Sequence, residues 1–263
     1  MATVADILAF IEEIAPPYMK EHWDNVGLNC GWSGQEVKKI LVALDPFANV
    51  CKEAYEIGAD LLVTHHALIW EHGFINDTTE QGRNTLFLIQ NNIAHINAHT
   101  NLDCAPDGVN DQLARRLGLS QIEVIDPHGE DSQGRPWGLM RMGETDISSL
   151  HDFLHHVKDC LHCDGLRFVD SGNPVHHVAV GGGACAGEMQ HAIDAGCDTF
   201  VTADVRYNQF WDAKSAGINL IDAGHFHTED PVCDYLAEQL QEAFPEIEVI
   251  RSVSHRDCAE FFM

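Results

Sequence analysis

The sequence predicts an α/β protein made of two related strand-helix-strand units, and three observations carry that expectation. Short apolar runs such as Leu61-Leu62-Val63 end in polar residues, as strands buried in a layered sheet do. Helical stretches alternate with these runs, which is the pattern of strand-helix-strand layers. The third is an internal echo. Ile40-Leu41-Val42-Ala43, a helix, and the run from Gly58 to Thr64 recur as Val178-Ala179-Val180, a helix, and the run from Gly196 to Thr202, while Ile93 to Ala98 resembles Ile218 to Ala223. A chain of 263 residues with 45% hydrophobic content is long enough for two such cores.

Taken in order, Thr3 can cap a helix carrying Ile7, Leu8, Phe10, Ile11 and Ile14, which Pro16-Pro17 stops. Trp23-Asp24-Asn25-Val26-Gly27-Leu28 reads as a loop with a polar rim. A strand at Ile40 to Leu44 precedes a helix over Val50 to Ile57. Gly58 ends that helix, and the strand Leu61 to Thr64 follows. A helix near Thr85 to Asn91 leads to the strand Ala94 to Ala98, and Gly108 to Leu117 is helical. From Asp126-Pro127 to Pro136 the chain is polar and turn-forming, which places a junction between units 1–126 and 127–263. Trp137 to Met142 reads as a strand, and Ser148 or Ser149 opens a helix through Leu161. Strands at Leu166 to Val169, at Val178 to Val180, within the run from Gly196 to Thr202, and at Leu220 to Asp222 follow. A helix through Val232, Leu236 and Leu240 and a final strand at Ile247 to Ile250 close the second unit.

Composition narrows the function. A net charge of −26, from 15 basic and 41 acidic residues, argues against nucleic acid or an anionic membrane as partner. It suits a cation, or simply a heavily solvated acidic surface. No apolar run reaches membrane-spanning length, and the N-terminus lacks the basic and apolar segments of a signal peptide, so the expected compartment is the cytoplasm. Nine scattered cysteines, with Cys160 and Cys163 the one close pair, read as buried free thiols.

Metal-ligand residue types cluster where three strands end: His65 and His66, then His99 and Asp103, then His225 and Glu229. Adjacent histidines converge on one ion only if the chain leaves the strand there; otherwise each serves its own. His225 and Glu229, four apart at the start of a helix, can face the same way. Imidazoles and carboxylates from separate heights suit a pair of divalent ions about 3.5 Å apart. Without cysteine the candidates are zinc, manganese, iron or cobalt. On spacing His99 could be a ligand or a capped loop histidine, and His72 and His227 are further candidates. The histidines at 151, 155, 156, 162, 176 and 177 lack a carboxylate at matching spacing and read as solvated surface. Gly181-Gly182-Gly183 lacks a phosphate-loop ending and reads as a tight turn before a helix, the alternative being anion binding at that helix N-terminus.

The segments THHALIW, AHTNLD, WDNVGL and LIDAGHFHTE resemble the signatures of the dinuclear-metal family called GTP cyclohydrolase I type 2, or Nif-three-like, over essentially the whole chain. That resemblance implies two interlocked α/β units with the Nif-three-like fold, assembled as a toroidal homo-hexamer. The second unit's last part, from about residue 220, would return the GHxxxE motif to a shared site. It implies metal ligation by His65, His66, Asp103, His225 and Glu229, with Glu229 as the bridge, His65 and His225 on one ion, and His66 and Asp103 on the other. It makes His99 a group that either supports a metal ligand from behind or faces the substrate. Thr202-Ala203-Asp204, with Arg206 and Tyr207, resembles a further family segment, although Ala203, Arg206 and Asn208 depart from its pattern. The implied reaction is hydrolysis by metal-activated water, with Glu229 or His99 handling the proton, on a small molecule such as GTP or another nucleotide or phosphoester. Arg141, Arg206 and Lys214 are the candidate phosphate contacts. The alternatives are a metal-dependent phosphoesterase and a non-catalytic metal-binding, assembly or regulatory protein.

Overall fold

The structure is a computed structural model, and it describes residues 2–71 and 73–262. It contains two compact units, one of residues 2–102 with 233–256 and the other of 103–232 with 257–262. In the first unit, α1 (Val4–Ile14) is opened by a reciprocal cap. The Thr3 hydroxyl accepts from the Asp6 amide at 3.3 Å, and the Thr3 amide donates to the Asp6 carboxylate at 2.7 Å, an arrangement worth about 1 kcal/mol. Strand β1 (Gly27–Cys30) follows where the sequence suggests only loop. Then come β2 (Lys39–Ala43), α2 (Ala48–Glu56), β3 (Leu61–Thr64), α3 (Glu80–Gln90), β4 (Ala94–Asn97) and the short α4 (Thr100–Cys104). Helix α3 starts five residues earlier than its apolar pattern indicates, because the Thr79 hydroxyl accepts from the Gly82 amide at 3.0 Å.

The second unit runs through α5 (Val109–Arg116), β5 (Ser120–Ile125), the ribbon β6 (Gly129–Glu130) and β7 (Pro136–Trp137), then β8 (Met140–Glu144) and α6 (Leu150–Leu161). It continues with β9 (Arg167–Val169), β10 (His177–Val180), α7 (Met189–Asp194), β11 (Thr199–Thr202), α8 (Tyr207–Ala216), β12 (Asn219–Asp222) and α9 (His225–Glu229). Helix α10 (Pro231–Ala243) then leads to β13 (Glu248–Arg251). The predicted strand at Trp137 to Met142 is thus two strands, split at Gly138 and Leu139.

Each unit has one main sheet, ordered β1-β4-β3-β2-β13 in the first and β5-β8-β10-β11-β12-β9 in the second. The echoed blocks occupy matching places. β2, β3 and β4 are parallel neighbours, as are β10, β11 and β12. All four residues of β3 are buried, and so are all four of β11, which explains their unbroken apolar character. The final strand differs from expectation: β13 pairs in parallel with β2 and so belongs to the first sheet. Glu53 on α2 fixes this return. Its buried carboxylate accepts from the hydroxyls of Ser252 and Ser254, each at 2.5 Å, and from the amides of Val253 and Ser254. Burial alone would raise its pKa, but these bonds outweigh burial and hold it low.

Within the first sheet lies a buried histidine whose charge state affects stability. His95 on β4 donates from Nε2 to the Thr64 hydroxyl at 2.7 Å, and that hydroxyl donates to the His66 carbonyl at 2.5 Å. Full burial pushes its pKa down to about 3. The folded pKa lies below the unfolded one, so the unfolded chain binds the extra proton, and stability falls as pH drops below about 6.5. Between pH 6.5 and 5 in chelator, the folding free energy of the native protein is expected to fall by up to about 1.4 kcal/mol per pH unit more than that of His95→Gln. Equal slopes in denaturant titrations of the two proteins would refute this.

Candidate metal centre

Strand β3 ends at Thr64, and the chain bends away at His65 and His66, so the two adjacent rings are not forced to opposite faces. Their centroids lie 4.9 Å apart, and His99 joins them at 5.1 and 5.4 Å. One ring nitrogen from each of the three lies within 4.8 Å of the others. The Nδ1–H of His65 donates to the Ala98 carbonyl at 2.9 Å, and that of His66 donates to Asp45 at 2.6 Å. Each bond fixes the tautomer and aims Nε2 away from its holder, as metal-binding imidazoles are usually held. Asp45 also lies 3.0 Å from His255 Nε2. Burial favours its neutral form, but its contacts with His255 and His66 prevail and keep it ionised well below the usual carboxylate range.

His99 is held by a second acid. Its Nδ1 lies 3.0 Å from Asp24, whose carboxylate also accepts from the Thr100 amide at 3.0 Å and the Thr100 hydroxyl at 2.6 Å. Burial opposes the charge on Asp24; His99 and the two Thr100 donors overcome it and depress the pKa strongly. The indoles of Trp23 and Trp70, both largely exposed, approach His99 edge-on at 6.0 and 5.0 Å.

In the second unit, α9 carries His225 and Glu229 one turn apart, with Nε2 and Oε2 separated by 3.0 Å. His225 Nδ1–H donates to Asp204 at 2.7 Å, so the strand end that departs from the family pattern supplies this imidazole's anchor. Glu229 is buried, as is Asp103, whose carbonyl accepts from Asn110 at 3.2 Å. The glycine run has a different task from a phosphate loop. The amides of Gly182 and Gly183 donate to Asn110 and Thr228 at 2.7 and 3.0 Å, so protein groups already occupy them. A Cβ on Gly183 would meet Glu229 Oε1 at 2.0 Å and His225 Nε2 at 3.0 Å. The run is therefore a cradle shaped around the donors of α9.

These residues fit divalent ions. The donors are imidazoles with fixed tautomers and buried carboxylates, without thiolate, which suits zinc, manganese, iron or cobalt. Among the described residues no cysteine stands in these clusters. Removing the charge from Asp204 by Asp204→Asn is expected to weaken metal binding about 10- to 100-fold with little change in melting temperature. A chelator competition giving native affinity would refute that role.

Other expected residues lie elsewhere. Arg141, expected to contact phosphate, is buried at 1% exposure; it pairs with Asp111 at 2.8 Å and donates to the carbonyls of Gly138, Met140, Cys104 and Ala105. It is a structural cation with no donor left to face solvent. Arg206 precedes α8 at the surface, and Lys214 donates to the Asp170 carbonyl. The Nδ1 of His227 lies 3.1 Å from the Leu161 carbonyl and its Nε2 3.5 Å from Asp257. His72 lies outside the described residues. A cavity of about 280 Å³ beside His225 is lined by Arg167, Asp204, Asp222, His227 and Phe261 among others. Sequence reasoning missed Asp24, Asp45 and Arg167. Asp45 carried a legible signal, since it follows the end of β2 by two residues, just as Asp204 follows β11. No helix among the described residues is long and apolar enough to cross a membrane.

The profile of the Duf34/NIF3 (NGG1p interacting factor 3) family matches residues 2–257. A Clostridium perfringens protein named GTP cyclohydrolase 1 type 2 homolog is 35% identical over 260 residues, covering 97% of this chain and 98% of its own. A Streptomyces coelicolor protein of the same name is 36% identical over 248 residues, covering 92% and 87%. The crystal structure of a Bacillus cereus protein related to NIF3 superposes with a TM-score of 0.93 at 24% identity, over 100% of this chain and 99% of that one. A Staphylococcus aureus protein superposes at 0.91 with 28% identity, over 99% of each chain.

Proposed function

The chain belongs to the Duf34/NIF3 family, and from that membership and the geometry of its histidines we propose that it is a dinuclear divalent-metal hydrolase. The observation that carries the reading is that His65, His66 and His225 each have Nδ1 held, by the Ala98 carbonyl, Asp45 and Asp204, which fixes the tautomer that presents Nε2 as the ligand atom. His65, His66, Asp103, His225 and Glu229 are the residues that would hold the ions. When bound, the two ions would lower the pKa of water and polarise an electrophilic carbon or phosphorus. His99, braced by Asp24, is placed to take up or return a proton. The exposed indoles of Trp23 and Trp70 beside it offer apolar faces on which a planar ring such as a nucleobase could stack.

The name of the Clostridium and Streptomyces relatives gives the first substrate to test, GTP, with hydrolytic opening of the purine ring and release of formate. Purified protein loaded with zinc, manganese, iron or cobalt is expected to release formate from GTP, and His99→Gln to lose most of that activity while keeping its metal. A fully loaded protein that turns over neither GTP nor phosphoesters would remove the hydrolase reading and leave a metal-binding or assembly protein. The proposed assembly is a homo-hexamer, for which light scattering after size exclusion is expected to give six times the 29.2 kDa chain mass.

A further inference from the structure

Sequence spacing sets aside His176 and His177 because no carboxylate stands at a matching interval. The fold supplies one from a neighbouring strand. Glu144, the last residue of β8, is the register partner of His177, the first of β10. His176 precedes the strand, so its ring is released from strand alternation and lies 4.5 Å, centroid to centroid, from that of His177. One ligand atom from each of Glu144, His176 and His177 lies within 4.8 Å of the other two. Ligands of a tetrahedral zinc ion stand roughly 3.3 Å apart, a contraction that small side-chain rotations supply.

The three residues are also braced. Asp198 accepts from the amide of His176 at 3.0 Å and from that of His177 at 2.8 Å, which fixes the backbone of both histidines with one carboxylate. The Thr145 amide donates to the His176 carbonyl at 3.0 Å. The side-chain amide of Gln121 donates to Glu144 Oε2 at 2.5 Å, leaving the other oxygen for a ligand. Gln121 reaches it from an irregularity in β5 and has φ of 50°, a left-handed conformation uncommon for a residue with a side chain. Bulges of this kind at sheet edges re-aim side chains.

We propose that Glu144, His176 and His177 form a separate metal site, distinct from the five-ligand centre and independent of it. Two imidazoles and one carboxylate select zinc, nickel, copper or cobalt over magnesium or calcium, which prefer all-oxygen shells. His176 is exposed and the other two residues are half-buried, so water completes the coordination. A bound divalent ion ties β8 to β10. The net charge of −26 raises the local concentration of any cation near this surface.

The test uses the full chain, stripped with chelator and equilibrated with zinc. The native protein is expected to hold one more zinc per chain than Glu144→Gln or the double variant His176→Asn, His177→Asn, whatever the occupancy of the other centre. Gln121→Ala is expected to weaken that extra site about 10-fold. Equal stoichiometry in native protein and variants would overturn the proposal. A second measurement needs no variant: zinc is expected to slow carbethoxylation of His176 and His177, read peptide by peptide in the native chain, and unchanged rates would also overturn it. Failure of the five-ligand centre leaves this difference intact, so the two readings fail separately.

Discussion

Gly183→Ala is expected to strip the proposed centre of metal while leaving the fold standing. The added Cβ would lie 2.0 Å from Glu229 Oε1, far inside contact distance. That oxygen is the tip of a flexible side chain, so the clash is relieved by moving the carboxylate rather than the backbone. The cost in stability then comes mainly from φ, which is +58° at this position and costs a residue with a side chain about 1–2 kcal/mol. The cost in binding is larger, because the displaced group is one of the proposed ligands, and His225 Nε2, another, is also 3.0 Å from the new methyl. We expect metal affinity to fall at least about 100-fold, against a modest fall in melting temperature. Elemental analysis after dialysis checks the first and calorimetry the second. An alanine variant with native metal content would show that Glu229 is not a ligand.

Arg141→Met is expected to do the opposite, damaging the fold without touching the chemistry. The guanidinium is buried, pairs with Asp111, and donates to the carbonyls of Gly138 and Ala105 at 2.6 and 3.0 Å. Methionine fills much of the same volume but leaves a partly buried carboxylate and several carbonyls unpaired. Breaking a buried pair from one side costs about 3–5 kcal/mol. Denaturant titration of the metal-free protein should show a loss of this size. A loss below about 1 kcal/mol would mean that water replaces the guanidinium. If Arg141 instead contacted a phosphate, its loss would raise the KM for a nucleotide and spare stability.

The echoed strands, the helix caps at Thr3 and Ser149, and the clusters at His65 and His66, at His99 and Asp103, and at His225 and Glu229 were legible because each rests on neighbours in sequence. A buried strand needs a continuous apolar run, a cap needs a hydroxyl at one position, and a ligand motif keeps its spacing within one turn or strand end. What could not be read is the partner across the fold. Asp24 stands 75 residues before His99, Asp45 is 21 before His66, and Glu144 is 33 before His177. Local pattern carries no information about such pairs, because strand order and register bring them together. The same holds for β13: its apolar alternation marks a strand, but its place beside β2 depends on Glu53, 199 residues before Ser252, accepting the serine hydroxyls that follow the strand. Sequence alone therefore marked the three strand-end clusters as groups that could bind a cation, and left out the one that Glu144 completes. Tertiary structure decided which nitrogen of each imidazole faces outward, because that depends on an acid or carbonyl that only folding brings within hydrogen-bond reach.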